Sequence, residues 1–135
     1  MSNADARSVA ETYLKEMLEA DDAADYALYT KRYEPKYLAN FSQEQFHRDI
    51  KGMHDRNGMN RGYAFLSTLR SSNLDGMEVH RTVWKGHYEK RDAVIEIAVY
   101  EKDGEWYLIQ WLCTSEDAPA TEARAGPHQC AGLPC

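Results

Sequence analysis

The feature that most constrains this chain is a pair of β-branched and aromatic runs on either side of an Asp-Gly. Val94, Ile95, Ile97, Val99 and Tyr100 lead into Asp103-Gly104, and Trp106, Tyr107, Leu108, Ile109 and Trp111 follow it. Glycine tolerates the positive φ of a two-residue hairpin turn, so the pattern predicts two antiparallel strands joined tightly. A lone hairpin is marginal in water, and its apolar faces need a further layer to cover them.

That layer is written upstream. Val9, Ala10, Tyr13, Leu14, Met17 and Leu18 form one apolar stripe, predicting a helix from about Asp5 to about Glu19. Asp21-Asp22 marks a break and offers caps for a second helix through Tyr26, Ala27, Tyr29 and Thr30, which has to stop before Pro35. Ser42-Gln43-Glu44-Gln45 opens a third helix as a capping box. Phe46, Ile50 and Met53 share its buried face, and Asn57-Gly58 ends it. From Gly62 the period becomes two, giving a first strand. Asp75-Gly76 turns into a second from Met77 to Tyr88, the segment from Glu89 to Asp92 into a third, and Asp103-Gly104 into a fourth. The predicted class is α+β: three N-terminal helices packed on a curved four-stranded antiparallel sheet, one domain over residues 5–115. Residues 116–135, rich in Ser, Glu, Ala, Pro and Gly, read as a flexible C-terminal tail.

Composition removes whole classes of function. At 135 residues the chain is one domain and needs no covalent staples. Sixteen Lys+Arg against 22 Asp+Glu leave a net charge of −6 with no basic run, which argues against a nucleic-acid partner. Apolar stretches are of strand length, far short of the roughly 20 residues that cross a bilayer. Three cysteines are an odd count, so Cys113 reads as a small buried hydrophobe, with a Cys130-Cys135 loop left open. No leader is visible. The chain reads as soluble, and its compartment stays open between the cytoplasm and export of a form whose leader has been removed.

Three helices followed by a four-stranded meander that closes on Asp103-Gly104-Glu105-Trp106-Tyr107-Leu108 resemble the nuclear transport factor 2-like superfamily over about residues 5 to 114. SnoaL-like cyclases, ketosteroid-isomerase-like enzymes and many small bacterial proteins share that cystatin-like cone. The resemblance implies a cone whose mouth holds a small molecule, and homodimers formed through the outer sheet face. One such fold hosts enzymes, binding modules and assembly domains, so function has to come from the site.

Taking Asp103-Gly104 as a two-residue turn pairs Val99 with Leu108, Ile97 with Gln110 and Glu96 with Trp111. A second tight turn at Lys90-Arg91 would set Trp84 beside Ile97 and Lys85 opposite Glu96. The aliphatic face should meet the helices and line a pocket of Gln110, Trp84, Tyr63, Tyr88, Ile97 and Leu108. There the Gln110 amide needs a partner, either an internal group or a ligand. The opposite face, with Trp111, Ile109, Tyr107, Glu96 and Lys85, reads as a dimer surface.

No metal site and no cofactor are expected. His47 and His54 share a helix face at a spacing that does not suit ligation, and His80 and His87 fall on opposite faces of their strand, each reading as a surface or internally satisfied histidine. Asp49 and Asp25 are the carboxylates most able to reach inward as acid or base, although either is also explained as a cap or solvent-side charge. The sequence thus points to a dimeric small-molecule-binding or assembly module with an apolar pocket and a small apolar ligand. The alternative is a small lyase, isomerase or hydrolase with a pocket carboxylate.

Overall fold

A computed structural model describes residues 3–115 and 124–125, with side chains over residues 5–109. Helix α1 spans Asn3–Ala23, α2 Tyr26–Thr30 and α3 Gln43–Asn57, with a short 3-10 turn at Pro35–Leu38. Four long antiparallel strands follow: β1 Asn60–Leu74, β2 Met77–Tyr88, β3 Asp92–Lys102 and β4 Glu105–Ser115. A two-residue β5, Arg124–Ala125, adds to β4, and the strands lie in chain order. The α+β class, the three helices and the antiparallel meander are as the sequence implies. Of the tail, all but Arg124–Ala125 lies outside the described residues.

Helix α1 runs one turn longer than its stripe suggested. Asp21 and Asp22 stay helical, with Asp21 1% exposed. The chain leaves the helix only at Ala24, whose φ of 53° lets Asp25 N–H reach Ala20 O at 2.9 Å. Asp25 then caps α2, its carboxylate accepting from Leu28 N–H at 3.1 Å. Ser42 caps α3 by accepting from Gln45 N–H at 3.1 Å. Gly58 ends that helix with φ 80°, where a Cβ would stand 2.7 Å from Glu89 Cβ, so both conformation and space require glycine.

Both hairpin turns are built as the Asp-Gly pairs predict. Asp103 and Gly104 have φ of 53° and 83°, Asp75 and Gly76 of 49° and 86°. Beyond the turn the β3–β4 register departs from a simple count. Val99 faces Leu108 as expected, but Ile109 is bulged, so Ala98 faces Gln110 and Ile97 faces Trp111. The pairing of Ile97 with Gln110 and of Glu96 with Trp111 is therefore corrected. The β2–β3 register slips by two residues, because the turn is centred one residue earlier than Lys90-Arg91, with Tyr88 N–H donating to Arg91 O at 3.2 Å around Glu89-Lys90. Trp84 faces Ile95 and Lys85 faces Val94. A slip of two keeps every β2 side chain on its expected face. Three further irregularities bend β1, the edge strand, against β2.

The inner sheet face carries Trp84, Ile95, Ile97, Val99 and Leu108 against Tyr13, Leu14, Met17, Tyr29, Phe46 and Met53. Tyr29 and Phe46 pack with ring centroids 4.7 Å apart, and Phe65 meets Trp84 edge-on at 5.2 Å. The outer face has its own small cluster of Val79, Ala98, Tyr100 and Ile109, joined by Tyr37, Leu74, Met77 and Tyr107. The segment after α2 makes this second cluster. Leu108 N–H donates to Arg32 O at 2.8 Å, Tyr33 bridges Leu108, and Tyr37 follows into the outer cluster.

Candidate functional site

Of the residues expected to line an apolar pocket, Trp84, Ile97 and Leu108 are packed solid. Trp84 is 1% exposed and Ile97 and Leu108 are 0%. A side chain lining a space that admits water keeps accessible surface, so these three line none, and the apolar pocket is corrected to a filled core. The Trp84 indole N–H donates to Thr82 Oγ1 at 2.8 Å, which satisfies its polar edge internally. Tyr88 is buried in the same cluster. Tyr63 packs on Trp84 and donates its hydroxyl to Glu11 Oε2 at 2.7 Å, and burial together with that carboxylate pushes its pKa up to about 12. The side chains of Gln110 and Trp111 lie outside the described residues.

The residues assigned to a dimer surface are largely engaged within the chain. Ile109 is 7% exposed in the outer cluster, and Tyr107 packs against it while donating to Glu105 Oε2 at 2.9 Å. Glu96 is held by Arg81, Nε to Oε2 at 3.0 Å, and Lys85 pairs with Asp92 at 3.4 Å. The expected Lys85–Glu96 pair is absent because the register slip moves Lys85 toward the strand end. Exposure passes to Val94, 42% accessible, with Ala64 and Val83 on the same face around Lys85.

The two candidate carboxylates do not converge. Asp25 is an exposed helix cap. Asp49 is buried rather than on a polar flank, and its Oδ1 accepts from Gln45 Nε2 at 2.8 Å on its own helix. Neither lines either of the two cavities described next. His47 and His54 do share one feature, an open cleft of about 470 Å³ between α1 and α3 that also borders Asp22, Lys51 and Asp55. His47 Nε2 lies 3.2 Å from Ala24 O, and burial pushes the Asp22 carboxyl up against the opposing Asn60 N–H at 3.4 Å. Among the described residues no three metal-ligating groups come together.

The better-formed site lies elsewhere on the inner face. A more enclosed cavity of about 160 Å³ sits between the first turns of α1, represented by Ala6, and the β1–β2 hairpin. His80, Thr82, Thr68, Arg70, Ser71 and Glu78 contribute to its wall. Two local causes open it. Ala6 presents only a methyl group to the space, and the β1 bulge between Leu69 and Ser72 carries Arg70 and Ser71 out of regular pairing.

His80 is the notable group. It is 8% exposed, its ring lies 5.7 Å from that of Trp106, and its nearest charged neighbour is Glu78 at 3.8 Å. Neither of its ring nitrogens is both buried and unsatisfied; the histidine nitrogen in that state is His54 Nε2, in the α1–α3 cleft. Thr82 is fully used, accepting from Trp84 and donating to Ile97 O at 3.2 Å. As the sequence implies, His80 and His87 occupy opposite faces, and His87 meets Asp92 at 3.2 Å on the outside.

No protein-family model, curated protein or solved structure gives a significant match to this chain. Function has to be read from the site's own geometry. Reading His80 as a surface or satisfied histidine left its inward placement beside the cavity unremarked, although the signal for that placement was present. His80 and Trp84 differ by an even number on one strand, so placing Trp84 inward also places His80 inward.

Proposed function

We propose that the chain is a small-molecule-binding module whose ligand occupies the polar cavity at His80. The observation that carries this reading is a largely buried histidine bordering a partly enclosed space with room for a few heavy atoms, with an arginine and two hydroxyl side chains in the same wall. A bound polar molecule could hydrogen-bond to the imidazole and to the Thr68 and Ser71 hydroxyls together. The order of helices and strands and the bends in β1 support a cone of the nuclear transport factor 2-like kind, with the cavity toward its mouth. The ligand is polar rather than apolar, because the aliphatic part of the inner face is already filled.

A homodimer through the outer face is the companion reading, favoured by the exposure of Val94 beside Ala64 and Val83. Light scattering should then return about twice the 15.5 kDa chain mass at micromolar concentration, and a constant chain mass would remove this companion reading.

Binding is tested by titrating the protein with acetamide, a small neutral polar probe, while following the histidine ring resonances. Saturable movement of the His80 resonances supports the cavity as a ligand site. Movement confined to His47 or His54 would relocate the site to the α1–α3 cleft and overturn the reading.

A further inference from the structure

We propose that the natural occupant of the His80 cavity is a small free carboxylic acid, bound as its carboxylate; this rests on the reading of that cavity as the ligand site. The groups around the space with capacity to spare are mostly donors. The Arg70 guanidinium has no ion pair among the described residues, and the Thr68 and Ser71 hydroxyls are not engaged in any described hydrogen bond. His80 adds a ring N–H in either neutral tautomer. The other arginine in the wall, Arg81, is neutralised by Glu96. Among the described residues the only acid in the wall is Glu78, whose side chain is 61% exposed and stands at the rim, 3.8 Å from His80.

A chain of net charge −6 thus presents, around its more enclosed cavity, one free guanidinium, two hydroxyls and an imidazole. That set matches the lone pairs of a carboxylate, to which arginine donates in a planar fork, better than it matches an amine or a neutral amide. The volume limits the acid to a short one. Glu78 makes a distinguishing prediction: it opposes an anion and would favour a cation, so neutralising it should act in opposite directions on the two classes.

The experiment compares sodium acetate, acetamide and methylammonium chloride at constant ionic strength, using the His80 ring resonances. Acetate should saturate them with roughly tenfold tighter binding than acetamide. Arg70→Gln, an exposed strand position that leaves the amide spectrum intact, should bring acetate down to the acetamide level. Glu78→Gln should tighten acetate and leave acetamide unchanged. Acetamide binding as tightly as acetate, or methylammonium binding best and weakening in Glu78→Gln, overturns the carboxylate while leaving the cavity as the ligand site. If none of the three probes moves His80, the ligand site itself fails and the carboxylate with it.

Discussion

The two ends of the sheet are covered on opposite faces. At the end carrying Trp84, Ile95 and Val94, the helices fill the inner face while Val94 stands open on the outside. At the end carrying His80, Val79 and Tyr100, the segment after α2 covers the outer face while the inner face keeps a polar cavity. Trp84 and His80 lie on the same face of the same strand, four residues apart. What differs is what meets them: the aromatic side chains of Tyr63 and Phe65 at Trp84, a small Ala6 and the Leu69–Ser72 irregularity of the partner strand at His80. The proposed ligand site lies where packing is withdrawn, and the proposed dimer surface where the chain supplies no cover of its own.

The largest test of this contrast is Trp84→Ala. Removing the largest fully buried side chain should cost about 3–5 kcal/mol in urea unfolding, since nothing nearby can collapse to fill the gap. A loss under about 1 kcal/mol would mean that this end is loosely packed after all.

Next in size is Tyr100→Phe at the covered outer end. Tyr100 donates a short hydrogen bond to Glu34, and Lys102 Nζ meets the other carboxylate oxygen at 3.0 Å. Burial and that carboxylate push the Tyr100 hydroxyl well above its ordinary range, while the hydrogen bond from Tyr100, with Lys102 behind it, holds the Glu34 carboxyl below the usual 4.5. A carboxyl lowered on folding stabilises above its unfolded value and loses that contribution as pH falls through the folded one. The parent should therefore lose stability on acidification from about pH 4.5 downward, and Tyr100→Phe should cost about 1.5–3 kcal/mol near neutrality with a shallower acid branch. Equal acid slopes in the two proteins would detach Glu34 from the outer cluster.

Ala6→Leu probes the open inner end. The cavity can accept the added branch, so stability should stay within about 1 kcal/mol of the parent while probe binding at His80 disappears. Destabilisation of several kcal/mol with binding retained would show that Ala6 faces packed core and not the cavity.

Smallest in stability is Val94→Glu on the open outer end, expected within about 0.5 kcal/mol of the parent and yet splitting any dimer formed there. Unchanged self-association would move the interface off this face.

Much of this architecture was legible in residue order. The caps at Ser42 and Gly58, the two Asp-Gly turns and the limits of β2 all follow from local chemistry, where one residue type suits one backbone geometry. What escaped was register and volume. The Ile109 bulge and the placement of the turn at Glu89-Lys90 depend on how twisted strands meet, which period-two counting does not sense. The aliphatic face was rightly placed toward the helices, but whether it lined a space or filled one depends on the combined volume of Tyr29, Phe46, Met53 and Trp84 across three elements. His80 was hidden by treating each histidine singly and not by its strand parity with Trp84.

The central claim, a filled end and an open end on one strand face, is met most directly by a single titration read at two nuclei. On adding acetate, the His80 ring resonances should move saturably while the Trp84 indole N–H, bonded to Thr82, stays where it is. Movement of the Trp84 indole with His80 unmoved would contradict the account, because it would put the accessible space in the apolar core and close it where the polar cavity is described.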